Sequence, residues 1–160
     1  MEKTKITTEP DKLKIVIERV LNAPRELVWK AFNDPELIVQ WWGLRDQTTV
    51  IEKMEVKPGG EWRFISHNPD GSKDIFYGEY KEIKPPYLVS QTFNYEPIGL
   101  GHESLDTVDL SEMDGKTKLK TTSVFKTLDD LNGMIGSGME KGVNESYERL
   151  DDLLEKMKAE

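Results

Sequence analysis

The chain has 160 residues, of which 36% are hydrophobic and 32% are charged, and its net charge is −8 with a sequence pI near 4.9. This length predicts one domain over residues 1–160 with a substantial core, and the composition excludes the disordered and membrane-embedded classes. The acidic balance argues against binding to nucleic acid, which needs clustered Lys and Arg. Because the chain has no cysteine, it can form no disulfide, thiolate nucleophile or Cys-based metal site.

The N-terminal third predicts one strand and two short helices. The β-branched run Leu13–Leu21 is typical of a strand. Pro24 starts a helix, and Asp34-Pro35 supplies the N-cap and first residue of a second helix that ends around Trp42-Gly43. Neighbouring residues on a helix point about 100° apart, so one face cannot bury both Trp41 and Trp42. We therefore expect one of these two rings to face something other than ordinary core, and a cavity is the obvious candidate.

The rest of the chain predicts six strands and a long helix. The strands are expected over Thr48–Val56, Glu61–His67, Asp74–Ile83, Leu88–Tyr95, Glu103–Met113 and Lys116–Phe125. Asp114-Gly115 joins the last two as a hairpin. Val108 and Leu110 share one face of the first of these. One face of the second carries Leu119, Thr121, Ser123 and Phe125. The segment Leu128–Lys158 carries a helical apolar stripe, which predicts an α+β fold with this helix packed on one antiparallel sheet.

Motifs spread over nearly the whole chain resemble a known family. They are Ala23-Pro24, Val28-Trp29, Phe32, Asp34-Pro35-Glu36-Leu37, Trp41-Trp42-Gly43, Pro58-Gly59-Gly60, Phe64, Asp70-Gly71, Gly78-Glu79-Tyr80, Ile83, Pro85-Pro86, Leu88-Val89, Gly138-Met139, Gly142-Val143 and Leu150. In this order they resemble the activator of heat-shock-protein-90 ATPase homologue-like branch of the START-like (SRPBCC, helix-grip) superfamily. The family often has proline after Trp-Trp-Gly, where this chain has Leu44.

The resemblance implies a helix-grip (START/Bet v-like) fold. A curved antiparallel sheet would wrap around the long C-terminal helix, with two short helices after the first strand and a largely apolar cavity between sheet and helix. Members of the superfamily bind or transport lipids, sterols, polyketides and other hydrophobic compounds, and some are cyclases or dehydratases. The branch has no shared catalytic signature that maps onto this chain.

Aromatic, methionine and glycine residues are the candidate lining of that cavity. The residues are Trp41, Trp42, Trp62, Phe64, Phe76, Phe93, Tyr95, Met134, Met139, Gly142 and Val143. Each tryptophan could instead fill ordinary core. The terminal helix also contains Gly133, Gly136, Gly138 and Gly142, each unfavourable by about 1 kcal/mol relative to alanine. These glycines allow close packing on the sheet, a break in the first part of the helix, or free space for a ligand.

Other catalytic and binding motifs are weak. His67 and His102 are the two histidines, and a metal site built from both would need carboxylates in coincident geometry. His102 is interpreted as an ordinary surface histidine, with a position at a cavity mouth as the alternative. The helix glycines do not form a G-x-G-x-x-G loop and no G-K-[ST] follows them. We therefore predict no catalytic residues, no metal and no cofactor.

The leading hypothesis is a non-enzymatic binding protein for a small hydrophobic or aromatic ligand, such as a lipid-, polyketide- or flavonoid-like compound. The first alternative is a cyclase, dehydratase or hydrolase, which would need a buried carboxylate or histidine with a shifted pKa facing the pocket. The second is a chaperone-ATPase-activating module, suggested by the family name alone. The expected partners are a small hydrophobic molecule and, secondarily, a chaperone, with no nucleic acid and no membrane span. The expected compartment is the cytoplasm, because Met1–Lys14 has no signal-peptide core. The expected oligomeric state is a monomer or a homodimer.

Overall fold

The computed structural model describes residues 4–160, and within them the chain forms eight strands and four α-helices. The N-terminal elements are β1 (Lys5–Glu9), β2 (Lys14–Leu21), α1 (Arg25–Asn33) and α2 (Pro35–Ile38). The remaining strands are β3 (Thr48–Met54), β4 (Glu61–His67), β5 (Lys73–Lys84), β6 (Leu88–Tyr95), β7 (Ser104–Met113) and β8 (Lys116–Val124). The chain ends in α3 (Leu128–Gly136) and α4 (Met139–Ala159).

All eight strands belong to one antiparallel sheet in the order β1-β2-β8-β7-β6-β5-β4-β3. The sheet curves around the terminal helices, which confirms the predicted α+β helix-grip fold. Register shifts between Ile51 and Lys53 and between Tyr80 and Glu82 mark irregular positions of the kind that bend a strand. The β7–β8 hairpin turns at Asp114-Gly115, whose φ angles of 50° and 78° fit a turn with two left-handed residues.

The N-terminal strand β1 was not predicted. It pairs with β2 from Lys5 opposite Glu18 to Glu9 opposite Lys14, so the predicted first strand is the second in the chain. None of the five residues of β1 is buried. A short edge strand without a buried face carries no hydrophobic alternation, which explains why the sequence pattern did not reveal it.

The two short helices begin as their residues predict. Pro24 occupies the N-cap position of α1, one residue before the helical span. Asp34 caps α2 by accepting a hydrogen bond from the Glu36 N–H at 2.9 Å. In this position the carboxylate satisfies one of the free N–H groups of the first turn. The second helix ends at Ile38 and not around Trp42-Gly43 as predicted, so the Trp41-Trp42 pair lies in the turns that follow it.

The predicted helical segment from Leu128 to Lys158 consists of two helices, and the break between them is one of the three explanations that its glycines left open. Thr127 caps α3 by accepting from the Asp130 N–H at 3.1 Å, and α3 ends at Gly136. Gly138 then has φ +84°, a left-handed conformation that glycine adopts without a Cβ penalty. This residue separates α3 from α4. Among residues 4–160, none of the helices is long and apolar enough to cross a membrane.

Candidate functional site

A cavity of about 430 Å³ lies between the concave face of the sheet and the helices. The strands β2 and β4–β8 form its floor, and α1, α3, α4 and the segment after α2 form its opposite wall. The helix-grip fold creates this space because α3 and the first turns of α4 do not fill the curve of the sheet. Its lining combines aromatic and aliphatic side chains with a smaller set of polar groups.

Aromatic rings from three adjacent strands form one side of the cavity. Trp62 and Phe64 come from β4, Phe76 from β5 and Phe93 from β6, and Trp42 packs on them from the segment after α2. Ring centroids lie 4.9–5.9 Å apart along this cluster, in tilted and edge-to-face arrangements. Such contacts favour a fixed arrangement of the rings. The aromatic side is therefore a preformed apolar surface.

The two adjacent tryptophans line different parts of the cavity. Trp41 packs with Phe32 of α1 and Tyr147 of α4, at centroid distances of 4.7 and 6.3 Å, and donates to the Ala31 carbonyl at 2.9 Å. Trp42 instead joins the rings of the sheet. Both line the cavity, so the pair closes it from two directions.

Trp62 depends on a glycine in the neighbouring strand. Its indole N–H passes Gly78 and donates to the Thr92 carbonyl at 3.1 Å. A Cβ on Gly78 would lie 2.0 Å from the Thr92 oxygen and 2.7 Å from the indole nitrogen. Only glycine allows this approach, which fixes the largest ring of the cavity floor.

Two side chains of α4 fasten the tryptophan segment. Ser146 accepts from the Gly43 N–H at 3.0 Å and donates to the Gly43 carbonyl at 2.9 Å. Arg149 donates to the carbonyls of Gly43, Leu44 and Gln40 at 3.0–3.2 Å. These bonds hold the segment between α2 and β3 in place, so α4 fixes the position of Trp42 together with the hydrogen bond from the Trp42 N–H to the Ile38 carbonyl of α2 at 3.0 Å.

The helical wall consists of small and flexible side chains. Met134 and Ser137 come from the end of α3, and Met139, Gly142 and Val143 from the first turns of α4. A Cβ added to Gly142 would meet only the Leu44 Cδ2, at 3.9 Å, and one added to Gly133, Gly136 or Gly138 would meet nothing within 4 Å. Close helix-on-sheet packing is therefore not the reason for these glycines, and Gly138 marks the helix break.

A row of polar side chains crosses the floor opposite this wall. Tyr80, Gln91, Asp106 and Ser123 are direct cross-strand neighbours on β5, β6, β7 and β8, and all four line the cavity. Directly opposite side chains in a sheet lie about 4.5–5.5 Å apart between Cβ atoms. The next row, Val89, Val108, Thr121 and Ile17, is mostly apolar. The cavity thus has a narrow polar line on an apolar floor.

Asp106 is the unusual member of this row. Burial raises the pKa of its carboxyl to about 6, and the nearby Ser123 and Ser104 hydroxyls offset only part of that rise. Its Oδ1 is inaccessible to solvent and has no hydrogen-bond partner among residues 4–160. A carboxylate in an apolar cavity without a full set of donors is energetically unfavourable. This residue is therefore the strongest candidate for a direct contact with a polar group of a ligand.

Asp74 is a second cavity-lining carboxylate, and it is fully engaged. It accepts from Gln47 at 3.1 Å, from Asn68 at 3.2 Å and from the Tyr95 hydroxyl at 2.7 Å. Tyr95 stacks on Phe76 with centroids 5.2 Å apart and does not itself line the cavity. The hydrogen bond to Asp74, with burial and the charge of Asp74, raises the pKa of Tyr95 to about 12. Tyr95 therefore supports Phe76 from behind, whereas the other ten predicted residues lie on the cavity wall.

The basic side chains of the described residues are not part of the cavity lining. Among the described residues 4–160, no Lys, Arg or His lines the cavity, although Arg19 is on the same face of β2 as Ile15 and Ile17. The Arg19 guanidinium donates to Asp151 and Thr4 instead. His102 is an exposed residue whose Nδ1 lies 2.6 Å from Asp130 Oδ1, and it is not at the cavity. In that same part of the chain no group of three or more His, Cys, Asp or Glu side chains is arranged to hold a metal ion.

Sequence reasoning missed Asp106, Ser146 and Arg149. The signal for Asp106 was present, since strand alternation places Ser104 and Asp106 on the same face as Val108 and Leu110, which were recognised as sharing a face. The signal for Ser146 and Arg149 was absent, because their partners are backbone atoms more than 100 residues away in the chain. Only the folded arrangement brings α4 to the tryptophan segment.

Comparison with known proteins agrees with this architecture. Residues 22–155 match the family model described as Activator of Hsp90 ATPase homolog 1-like protein. A crystal structure of a protein from Rhodobacter sphaeroides has a TM-score of 0.88 at 23% identity and covers 96% of this chain and 99% of its own. A solution structure from Arthrobacter aurescens has a TM-score of 0.87 at 23% identity, with 95% and 91% covered. These likenesses show the fold, and no protein among the curated ones matches significantly. On the family match over most of its length, the chain belongs to the activator of Hsp90 ATPase homologue 1-like family.

Proposed function

We propose that this protein binds a small, largely apolar or aromatic compound in the cavity between its sheet and terminal helices. The observation that carries the proposal is the cavity of about 430 Å³ with its aromatic side. Ligand sites for small molecules have volumes of about 300–1,000 Å³ and are mostly apolar with a few placed polar groups. The proposed contacts are Trp41, Trp42, Trp62, Phe64, Phe76, Phe93, Met134, Met139, Gly142 and Val143, with Tyr95 as a support for Phe76.

The helical wall suits ligands of more than one shape. Met134 and Met139 have flexible side chains that repack around different contents. Gly142 leaves free space beside the helix, because a Cβ at this position would meet only the Leu44 side chain, at 3.9 Å. The proposal therefore expects a protein that accepts a class of related compounds and discriminates among them by their polar group.

A pair of cavity-filling variants tests the proposal. Gly142→Leu introduces a side chain at the cavity wall, and Gly133→Leu makes the same change on α3 away from the cavity. Isothermal titration with a neutral aromatic probe such as naphthylethanol should show binding to the parent and to Gly133→Leu, and a loss of about tenfold or more for Gly142→Leu. Both variants should melt at or above the parent temperature, since leucine is the better helix former by up to about 1 kcal/mol.

Two results would count against the proposal. Equal binding by both leucine variants would show that the probe binds elsewhere. A drop of several degrees in the melting temperature of Gly142→Leu would mean that this glycine serves close packing, because overpacking costs about 1–3 kcal/mol.

Asp106 favours a second candidate, acid–base chemistry on the bound compound. A carboxyl with a pKa of about 6 in an apolar cavity is suited to take a proton from a weakly acidic carbon. A test that needs no knowledge of the natural substrate is deuterium exchange at the central carbon of benzoylacetone, followed by NMR. Catalysis by Asp106 predicts an exchange rate about a hundredfold or more above buffer that Asp106→Asn removes. If the diketone binds but its deuterium exchanges only at the buffer rate, the acid–base candidate is wrong and ligand binding remains the proposed function.

A further inference from the structure

The cavity contains carboxylates and no basic side chain. Asp74 and Asp106 both line it, and among residues 4–160 no Lys, Arg or His does. The whole chain is also acidic, with a net charge of −8. An anionic ligand would therefore meet no countercharge inside, and its own charge would be repelled by the two carboxylates.

The two carboxylates differ in whether their acceptor capacity is already used. Three side-chain donors hold Asp74 at 2.7–3.2 Å. Asp106 lines the cavity with only the neutral Ser104 and Ser123 hydroxyls as donors beside it. Its Oδ1 makes no hydrogen bond to any described residue and is covered, so the carboxyl would rotate to present this atom to a ligand. Asp106 is thus the group in the cavity that a ligand donor would satisfy.

Aromatic side chains share the cavity lining with Asp106. Phe93 lies opposite Ser104, two residues from Asp106 on the same face, so it is a diagonal neighbour of the carboxylate. Phe93 packs with Trp62 and Phe76, whose rings also line the cavity. A carboxylate together with aromatic faces is an environment that favours an organic ammonium ion, through a charge-assisted hydrogen bond and cation–π attraction.

We propose that the ligand class of this cavity is a compact aromatic or apolar amine, held with its protonated nitrogen at Asp106 and its apolar body against the Trp62, Phe76 and Phe93 rings. This inference rests on the proposed function, since it names the ligand class of the same cavity. It excludes fatty acids and other apolar carboxylates as preferred ligands.

Three probes of matched shape and different charge test the proposal. Naphthylethylamine, naphthylethanol and naphthylacetate should be titrated calorimetrically into the parent protein near neutral pH. The amine should bind about tenfold or more tightly than the alcohol, and the carboxylate should bind most weakly. In Asp106→Asn the amine should lose its advantage, while the affinity for the alcohol changes less than about twofold, because the apolar contacts remain.

Asp74→Asn is the matched control, since it removes the same charge from the same cavity at a carboxylate that is already engaged. It should keep the preference for the amine, with its fold checked by thermal melting. Equal binding of amine and alcohol by the parent, tighter binding of naphthylacetate, or an amine preference that survives in Asp106→Asn would overturn the inference while leaving the proposed cavity function standing. If none of the three probes binds, the proposed function itself fails and the inference with it.

Discussion

The two halves of the C-terminal helical segment meet the sheet in different ways. In the second half of α4, Leu150 and Leu154 are 0% and 1% exposed and belong to one buried cluster with Leu119 and Val28. Leu131 at the start of α3 is also fully buried, but from Met134 to Val143 the residues that line the cavity are glycine, serine, methionine and valine, and the space beside them remains open. The second half of α4 therefore stabilises the fold through buried contacts, whereas the stretch around the α3–α4 junction leaves the cavity open.

This difference is a matter of side-chain size more than of backbone path. The same sheet lies under both halves, but leucines fill the space at one end and glycine leaves it free at the other. Protein interiors are ordinarily packed to the density of organic crystals, so an open region of this size needs a reason other than folding. The comparison predicts that substitutions at the packed end change stability, and that substitutions at the open end change binding.

The largest expected effect is at the packed end. Leu150→Ala should lower the free energy of unfolding by about 2–5 kcal/mol, because it leaves a cavity in a fully buried cluster. Met139→Ala, at the open end, should cost about 1 kcal/mol or less because its side chain is partly accessible and borders free space. Urea denaturation measures both values. Equal losses at the two positions would remove the distinction between the halves.

The pH dependence of stability tests the polar row on the cavity floor. Between about pH 4 and 6 the folded protein keeps a proton on Asp106 that the unfolded chain has lost, since the pKa is raised to about 6 in the fold. The folded state then binds more protons, so this group makes stability fall as pH rises through that window. From α4, Tyr147 faces the same region and is neutral throughout this window, since its pKa lies above the ordinary tyrosine value because of burial. The Arg19 guanidinium on β2 also acts on Tyr147 and keeps its charge over the window.

Asp106→Asn isolates this contribution from that of the other carboxylates. From pH 4 to pH 7, the unfolding free energy of the variant should rise by about 1–3 kcal/mol relative to that of the parent. Water in the cavity would hydrate the carboxylate and favour the lower value. Urea denaturation at a series of pH values gives the difference directly. A constant difference across the series would mean that Asp106 titrates normally and is well hydrated.

The smallest expected effects distinguish two glycines at the start of α4. Gly142→Ala should stabilise the protein by up to about 1 kcal/mol, since the new Cβ meets only Leu44 at 3.9 Å and alanine is the better helix former. Gly138→Ala should destabilise it by about 1–2 kcal/mol, because an alanine at φ +84° is strained. Thermal melting of the two variants should therefore shift in opposite directions, and a shift in the same direction would contradict the helix break at Gly138.

The sequence predicted the fold better than it predicted the chemistry of the site. Hydrophobic alternation and turn residues located β2 to β8, and the motifs from Ala23-Pro24 to Leu150 identified the helix grip. The edge strand β1 was missed, and the break in the terminal helix was one alternative without a position, because neither depends on a buried periodic pattern. The aromatic wall was predicted from residue type together with the cavity that the family resemblance implies, and all its predicted rings except Tyr95 line the cavity.

The polar features of the site depend on distances that no local pattern contains. Strand alternation is enough to place Asp106 on the inner face of the sheet. Whether its Oδ1 finds a hydrogen-bond donor depends on the side chains of β6, β8 and α4 that surround it in the fold. Tyr95 has the same parity as Phe93, yet its hydroxyl is drawn to Asp74 and its ring lies behind Phe76. The hydrogen-bond partners of Asp106 and Tyr95 depend on which of several neighbouring side chains lies closest in the folded protein, and a local sequence pattern does not contain that information.

Whether the open half binds a ligand can be measured by titrating the protein, labelled at its methionine methyl groups, with naphthylethanol and following the resonances by NMR. Met134 and Met139 line the cavity, whereas Met113 and Met157 lie outside it and serve as internal controls. If the open half is a binding cavity, the resonances of Met134 and Met139 should shift and saturate together while those of Met113 and Met157 stay in place. Saturable shifts confined to Met113 or Met157, or no shifts at any of the four, would contradict the account.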